Sequence, residues 1–220
     1  MNKILLITAL LTQFVFGYSQ NNINEFDNNG KRHGEWAKKY DNSEQIRFSG
    51  QFNHGIEVGV FNFYSKSGLL IAVKSYKSNT GICNAKLYNS NKQITAEGDF
   101  DGKEKVGLWK YYSADGYLLM TENYKQGKLE GKKSTFFKDG SLAEVENFKN
   151  NLSHGKFMRF TADGNKTAEL NYEYGLLQGE GKYFNVDGKI VMSGNYKDDK
   201  KVGEWKHYEN GKVIRTEYFD

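Results

Sequence analysis

The chain has no proline and one cysteine among its 220 residues. A lone thiol, Cys83, excludes an intramolecular disulfide framework, and with four scattered histidines it excludes a zinc cluster of the CxxC type. The lack of proline beside 24 glycines does not suit a loop-rich protein; it suits one running sheet in which every backbone N–H is wanted for pairing. An excess of one charge is missing as well. Lys and Arg number 31 against 27 Asp and Glu, and a formal charge of +4 falls well short of the basic patch of a nucleic-acid binder. No nucleic-acid partner is therefore expected. Aromatic residues are plentiful at 15%, which rules out a disordered chain.

The one long apolar run lies at the N-terminus. Met1-Asn2-Lys3, then Ile4 to Leu11 and Phe14-Val15-Phe16, read as the basic and apolar regions of a secretory signal, with Gly17 and Ser19 as the small residues of a cleavage site. Thr8, Thr12 and Gln13 interrupt the run, which is short of the roughly 20 residues a spanning helix needs. Residues 1–19 are expected to be a signal peptide and residues 20–33 a lead-in. The mature chain is expected to be exported, periplasmic or extracellular, with no transmembrane segment after cleavage.

The remainder, residues 34–220, is a repeat. Aromatic residues stand 24 positions apart at Phe52, Tyr76, Phe100, Tyr124, Phe148, Tyr172 and Tyr196, with Tyr218 closing the series two positions early. A glycine column keeps nearly the same period at Gly34, Gly59, Gly81, Gly107, Gly131, Gly155, Gly179 and Gly203. A third column, Gly68, Gly116, Gly140, Gly164 and Gly188, lies between them, with Gly211 one position early.

Each copy reads as two strands and two turns. Asp-Gly in Ser113-Ala-Asp-Gly116, Thr161-Ala-Asp-Gly164 and Asn185-Val-Asp-Gly188 marks a hairpin loop, where glycine takes a positive φ. After it, alternate residues such as Leu70/Ala72/Lys74/Tyr76, Ile94/Ala96/Gly98/Phe100 and Leu118/Met120/Glu122/Tyr124 are mostly apolar, which predicts half-buried antiparallel strands with these residues on one face. Gly55, Asn79, Gly127, Asn151, Gly175 and Asp199 mark the second turn, being residue types that tolerate a left-handed backbone. The expected fold is all-β: an elongated, single-sheet antiparallel meander of about eight hairpins of 24 residues.

The motifs Gly34-Glu-Trp, Gly107-Leu-Trp-Lys-Tyr-Tyr, Asp115-Gly116, Tyr124-Lys-Gln-Gly-Lys-Leu-Glu-Gly131 and Gly203-Glu-Trp-Lys-His-Tyr resemble the MORN-type repeat family in its bacterial variant, over about residues 31–220. Repeat one departs from the pattern in lacking the hairpin glycine, and repeat three in placing Cys83 in the tryptophan column. The resemblance implies stacked hairpins in one long twisted meander. Some bacterial members are labelled antitoxins of toxin–antitoxin pairs, and eukaryotic ones are associated with scaffolding; neither role is inherent in the repeat.

A catalytic site would break the repeat, since a site is built once and a repeat many times. No nucleophile–base pair, carboxylate pair, metal triad or phosphate loop stands out, so the expectation is a non-catalytic protein without cofactor or metal. His54 and His154 read as solvated turn residues, and Cys83 as a buried inert thiol. The candidate binding residues are Tyr64, Tyr112, Phe136, Phe160, Phe184 and Tyr208, five positions after the anchor glycine and opposite in parity to Trp36, Phe61, Trp109, Phe157 and Trp205. On a regular strand the six form an aromatic ladder on the polar face; a bulge before the hairpin would turn them into the core.

Two function classes remain open. One is a repeat scaffold in the cell envelope that binds another protein, antitoxin-like or otherwise, along a face or at the edge strand Val213 to Phe219. The other is an envelope protein that binds a glycan or an anionic membrane surface through the ladder and Lys110, Lys132, Lys133, Lys156, Lys182 and Lys206.

Overall fold

In the computed structural model the described residues are 22–77 and 80–220. The signal-peptide reading and Asn79 lie outside them. The described residues form one antiparallel sheet of 20 strands, with no helix among them and without closure into a barrel. Sixteen strands make eight hairpins. These are β2 (Arg32–Lys39) with β3 (Ile46–Asn53), β4 (Ile56–Tyr64) with β5 (Leu70–Tyr76), β6 (Ile82–Tyr88) with β7 (Ile94–Asp101), and β8 (Glu104–Tyr112) with β9 (Leu118–Lys125). They continue with β11 (Gly131–Phe136) and β12 (Leu142–Lys149), β14 (Gly155–Phe160) and β15 (Lys166–Glu173), β17 (Gly179–Phe184) and β18 (Ile190–Lys197), and β19 (Lys200–Glu209) and β20 (Lys212–Phe219). Four two-residue strands complete the sheet: β1 (Glu25–Phe26), β10 (Lys128–Leu129), β13 (Leu152–Ser153) and β16 (Leu176–Leu177).

Pairing follows chain order, and the glycine column explains how hairpins join. Where β4 meets β3, Gln51 pairs Val58 and Ser49 pairs Asn62, so Gly59, Val60 and Phe61 together oppose Gly50. Gly107, Leu108 and Trp109 oppose Gly98 in the same way, and Gly203, Glu204 and Trp205 oppose Gly194. The segment turns on a glycine at positive φ, +67° at Gly59, +66° at Gly107 and +63° at Gly203, a conformation costly for residues with a Cβ. The detour swings the third residue over the neighbouring strand, which is why the tryptophans stand two places after a glycine.

The register corrects two expectations about these columns. Each column glycine pairs with a column aromatic, as Gly59 with Tyr76 and Gly107 with Tyr124, and in repeat three it is Cys83 that pairs with Phe100. Cys83 thus occupies the glycine column, not the tryptophan column, and Ala85 takes the tryptophan place. A cysteine resists positive φ, and here the register runs unbroken from Tyr76–Cys83 to Ala72–Leu87; the two extra residues fall before Cys83 instead. The thiol is buried, at 1% exposure, and unpaired. At the C-terminus Gly203 pairs with Phe219, so Phe219 closes the aromatic series; Tyr218 pairs with Glu204 and is 74% exposed.

The core lies mainly on one face, with Val145 and Ser134, 5% and 7% exposed, buried on the other. Trp109 and Trp205 are fully buried, and Phe52, Phe61, Ala85, Ala96, Phe157, Ala168 and Leu170 are buried on the same face. The lead-in covers the N-terminal edge. Asn24 donates its N–H to the Glu35 carbonyl (2.8 Å) and accepts from the Ala37 N–H through Oδ1 (2.9 Å), and Phe26 packs edge-on to Trp36 at 5.1 Å.

Candidate functional site

The six candidate rings lie on the face opposite the tryptophans. Tyr111 projects with the core and pairs Met120, so Tyr112 projects the other way. Its hydroxyl donates to Glu97 Oε1 at 2.6 Å, and Tyr208 shares a hydrogen bond with Ser193 at 3.1 Å. Glu97 and Ser193 belong to a cross-strand row on that face, which passes through Lys110, Thr121, Ser134, Val145, Met158, Glu169 and Lys182 and ends at Lys206 and Thr216.

A bulge does adjoin each hairpin turn, but its extra residue lies after the turn, on the second strand. Tyr64 pairs Leu70 while Phe63 pairs Ala72, leaving Ile71 as the extra residue; the same shift occurs between Tyr111 and Tyr112. Residues paired across antiparallel strands share a face, so Leu70, Leu118, Leu142 and Ile190 are carried under the candidate rings. They therefore leave the core face on which simple alternation had put them. With this apolar neighbour beside them, Tyr64, Tyr112, Phe136, Phe160, Phe184 and Tyr208 are half-buried, not fully exposed.

The row is longer than the glycine column suggested. Tyr88 pairs Ile94 with the same bulge, giving seven rings each 24 positions apart; in the first hairpin Lys39, paired with Ile46, takes the ring's place, and Tyr40 follows it with its hydroxyl donating to the Tyr64 carbonyl at 2.7 Å. Counting five residues from Gly81 lands on Lys86, which hid Tyr88. At its C-terminal end the row opens into a groove of about 500 Å³ lined by Lys189, Ile190, Tyr208, Asn210 and Gly211.

The lysines of this surface are largely engaged. Lys110 lies 3.8 Å from Glu97, Lys156 3.5 Å from Glu169, Lys182 2.8 Å from Glu180 and Lys206 3.3 Å from Glu204. Lys133 does not belong to this surface: two places after Gly131, in the tryptophan place of its copy, it stands on the core face over the Phe148 ring at 5.8 Å.

On the core face each tryptophan carries a cation from four residues earlier. Arg32 lies 5.0 Å from the Trp36 ring centre, Lys105 4.5 Å from Trp109 and Lys201 4.3 Å from Trp205, a contact that the sequence pattern Arg/Lys-x-Gly-x-Trp encodes. The repeat is broken once here by a charge. Glu122, 8% exposed, stands where Gly98 and Gly194 stand in other copies, and accepts from the Tyr124 hydroxyl at 2.6 Å. Lys105 Nζ donates to Tyr111 at 2.7 Å, and the Tyr111 and Tyr124 hydroxyls lie 3.3 Å apart. Burial lowers the Lys105 pKa and raises those of Tyr111 and Tyr124, each of which also feels Glu122. The cluster satisfies itself, and it ties β8 to β9.

The histidines divide. His54 is solvated in its turn and holds Asp27 through Nδ1 at 2.5 Å, its ring tilted against His33 at 4.7 Å. His154 lies between β13 and β14, not in the turn, half-buried against Tyr174 at 5.3 Å. Among the described residues no three His, Cys, Asp or Glu side chains are placed to share a metal ion, and no helix is long and apolar enough to cross a membrane.

The chain matches no protein-family model and no curated protein. Among solved structures it is similar to a chain of the Glycosylation Associate Protein (Gap123) complex from Streptococcus agalactiae, at 20% identity and a TM-score of 0.31, over 46% of this chain and 19% of that one.

Proposed function

We propose that the protein is a non-catalytic repeat scaffold of the cell envelope, in line with its MORN-type resemblance, and that it binds another protein across the face bearing Tyr64, Tyr112, Phe136, Phe160, Phe184 and Tyr208. One observation carries this reading: a row of half-buried rings at the repeat spacing, with aliphatic residues between them, on the face of the sheet opposite the tryptophans. Rings with part of their surface still open are what a binding surface needs, because a partner gains by covering them. The glycan or anionic-surface alternative draws less support, since four of its six lysines are already matched by carboxylates within 4.0 Å. An antitoxin would be one kind of scaffold, whose captured partner is a toxin.

Affinity capture from the organism's own envelope tests the reading. A protein retained by the wild type at both low and high salt, and lost by Phe136→Ser/Phe160→Ser while that variant still melts cooperatively, supports it. Retention by the double variant, or release by salt alone, counts against it. Intact-mass measurement of the recovered chain tests export: cleavage near Gln20 is expected, and a full-length mass in the cytoplasm would remove the envelope from the proposal.

A further inference from the structure

The ring row has a period, and a period selects a ligand. Phe136, Phe160 and Phe184 stand on β11, β14 and β17, separated by the single strands β12 and β15, each of which pairs with its neighbour on either side. All three keep the same register place, opposite Leu142, Lys166 and Ile190, the first residues of the strands that follow. The rungs therefore recur every second strand, at about 9.6 Å for a strand spacing of about 4.8 Å.

Three kinds of polypeptide could be laid along such a row. An extended strand returns a side chain to one face every two residues, about 6.7 Å, and finds no ladder on a sheet face for its own N–H and C=O groups. An α-helix returns to one face after seven residues and about 10.5 Å, so it falls out of step by about 1.8 Å over three rungs. A polyproline II helix returns every third residue, at about 9.3 Å, and drifts by about 0.6 Å over the same three. Its backbone stays solvated and asks nothing of the sheet, and its proline rings stack on aromatic side chains.

The three phenylalanines suit that contact. Tyr112 and Tyr208, farther along the row, are tied by their hydroxyls to Glu97 and Ser193, whereas these rings have no hydroxyl to tie. All three are half-buried. Lys166, between the second and third rungs, lies over the Phe184 ring at 5.8 Å and gives its ammonium to Glu169, so its stem extends the apolar track. The strand twist turns each rung relative to the last, which favours a short ligand on a few rungs. A second copy cannot supply that ligand, because this chain has no proline.

We propose that Phe136, Phe160 and Phe184 seat a proline-rich segment of the partner as a polyproline II helix, with a proline at every third position and one proline on each ring. This rests on the reading of the face as a protein-binding surface and names the chemistry of what it binds.

Fluorescence anisotropy tests it, using the chain as recovered from cells and a labelled peptide of four Pro-Ser-Gln triplets. A comparison peptide of the same composition has its prolines at alternate positions, which sends successive prolines to different sides of the helix. The triplet peptide should bind at least about tenfold more tightly, and the difference should persist at high salt. Phe160→Ser removes the middle rung and should weaken binding of the triplet peptide by about tenfold or more. Phe160→Leu stays apolar but lacks the flat ring, and should weaken it too, so the test does not depend on a serine variant that fails to fold; thermal melts check both. Phe160→Tyr should bind as the wild type does, since Tyr64, Tyr112 and Tyr208 hold the same place in other copies. Equal binding of the two peptides, no binding of either at about 1 mM, or undiminished binding by Phe160→Leu would overturn the inference. Envelope capture separates its failure from that of the reading beneath it. A captured protein lost by Phe136→Ser/Phe160→Ser, with the triplet peptide unbound, keeps the protein-binding face and removes the proline-rich partner.

Discussion

The indole of Trp109 lies on the backbone of Gly98, where a Cβ would come within 2.5 Å of the ring. Gly50 stands under Phe61 and Gly194 under Trp205 in the same manner, at 2.4 and 2.3 Å. Each ring follows its glycine by eleven positions, and the pair can be reversed: Leu170 is matched eleven positions on by Gly181, whose Cβ would meet Leu170 at 3.0 Å. Volume is therefore shared across these four seams, and the seams are where hairpins become one sheet.

Gly98→Ala should destabilise by about 1–3 kcal/mol through overpacking, and Trp109→Ala by about 3–5 kcal/mol through loss of a fully buried ring. Gly98→Leu with Trp109→Gly copies the arrangement at Leu170 and Gly181, and should recover part of what each single change loses. Denaturant melts of the four chains measure the coupling. Strict additivity would show that the indole does not depend on residue 98.

Much of this was open to inspection in the sequence. Period, hairpin glycines and period-two alternation led to one sheet of eight hairpins because each signal is local and recurs. Three features escaped because they depend on register between strands. The seam at Cys83 has its extra residues before the strand instead of inside it, so counting from Gly81 misplaced Ala85 and hid Tyr88. The bulge after each hairpin moves Leu70 and Leu118 across the sheet, which alternation alone cannot reveal. Phe219, not Tyr218, ends the aromatic series because the last hairpin is one residue short at its turn, which brings Gly211 and the closing ring one position early. The partners of the lysines, too, are long-range in sequence: Lys110 finds Glu97 and Lys156 finds Glu169 only when the strands are laid side by side.

The two terminal aromatics should separate cleanly. Phe219 packs edge-on to Trp205 at 6.5 Å and receives Lys201 over its ring at 5.3 Å, whereas Tyr218 points into solvent. Phe219→Ala should cost about 1–3 kcal/mol, and Tyr218→Ala should stay within about 0.5 kcal/mol of wild type. Tyr124→Ala, in an inner seam, should exceed both. Equal losses at 218 and 219 would mean that the last strand is paired in another register.

Acid should loosen the N-terminal cap before the rest of the sheet. The Asp27 carboxyl is held down at about 2 by its bond to His54 and by the N–H groups of Lys31 and Asn29. Its ordinary value lies near 3.8, so the contribution is full above about pH 4 and is lost as pH falls through about 2. Amide exchange at Ala37 and Asn24 should rise in that window while exchange in β14 and β15 does not. Asp27→Asn should raise exchange at the cap already at neutral pH and flatten its acid response; an unchanged profile would detach the cap from Asp27.

Alkali should act on the whole sheet, through tyrosine. Burial, with Cys83 and Glu57 nearby, pushes Tyr76 up to about 12, and burial with the Glu97 hydrogen bond pushes Tyr112 to about 12. Burial also raises Tyr111, Tyr124, Tyr172 and Tyr196 above the ordinary 10.0. A folded-state pKa above the unfolded one means that the unfolded chain releases its phenolic protons first. The stabilisation is thus complete below about pH 10 and declines as pH rises through 10 towards 12 and beyond. Melting temperature should fall steeply over that range, and phenolate absorbance should rise later in the folded protein than in the denatured chain. Tyr112→Phe should cost about 1 kcal/mol at neutral pH for the lost bond to Glu97, and should make the alkaline decline shallower because one raised group is gone. A Tyr112→Phe chain that loses nothing at neutral pH and keeps the full alkaline slope would place that ring in solvent, away from Glu97 and from the row on the outer face.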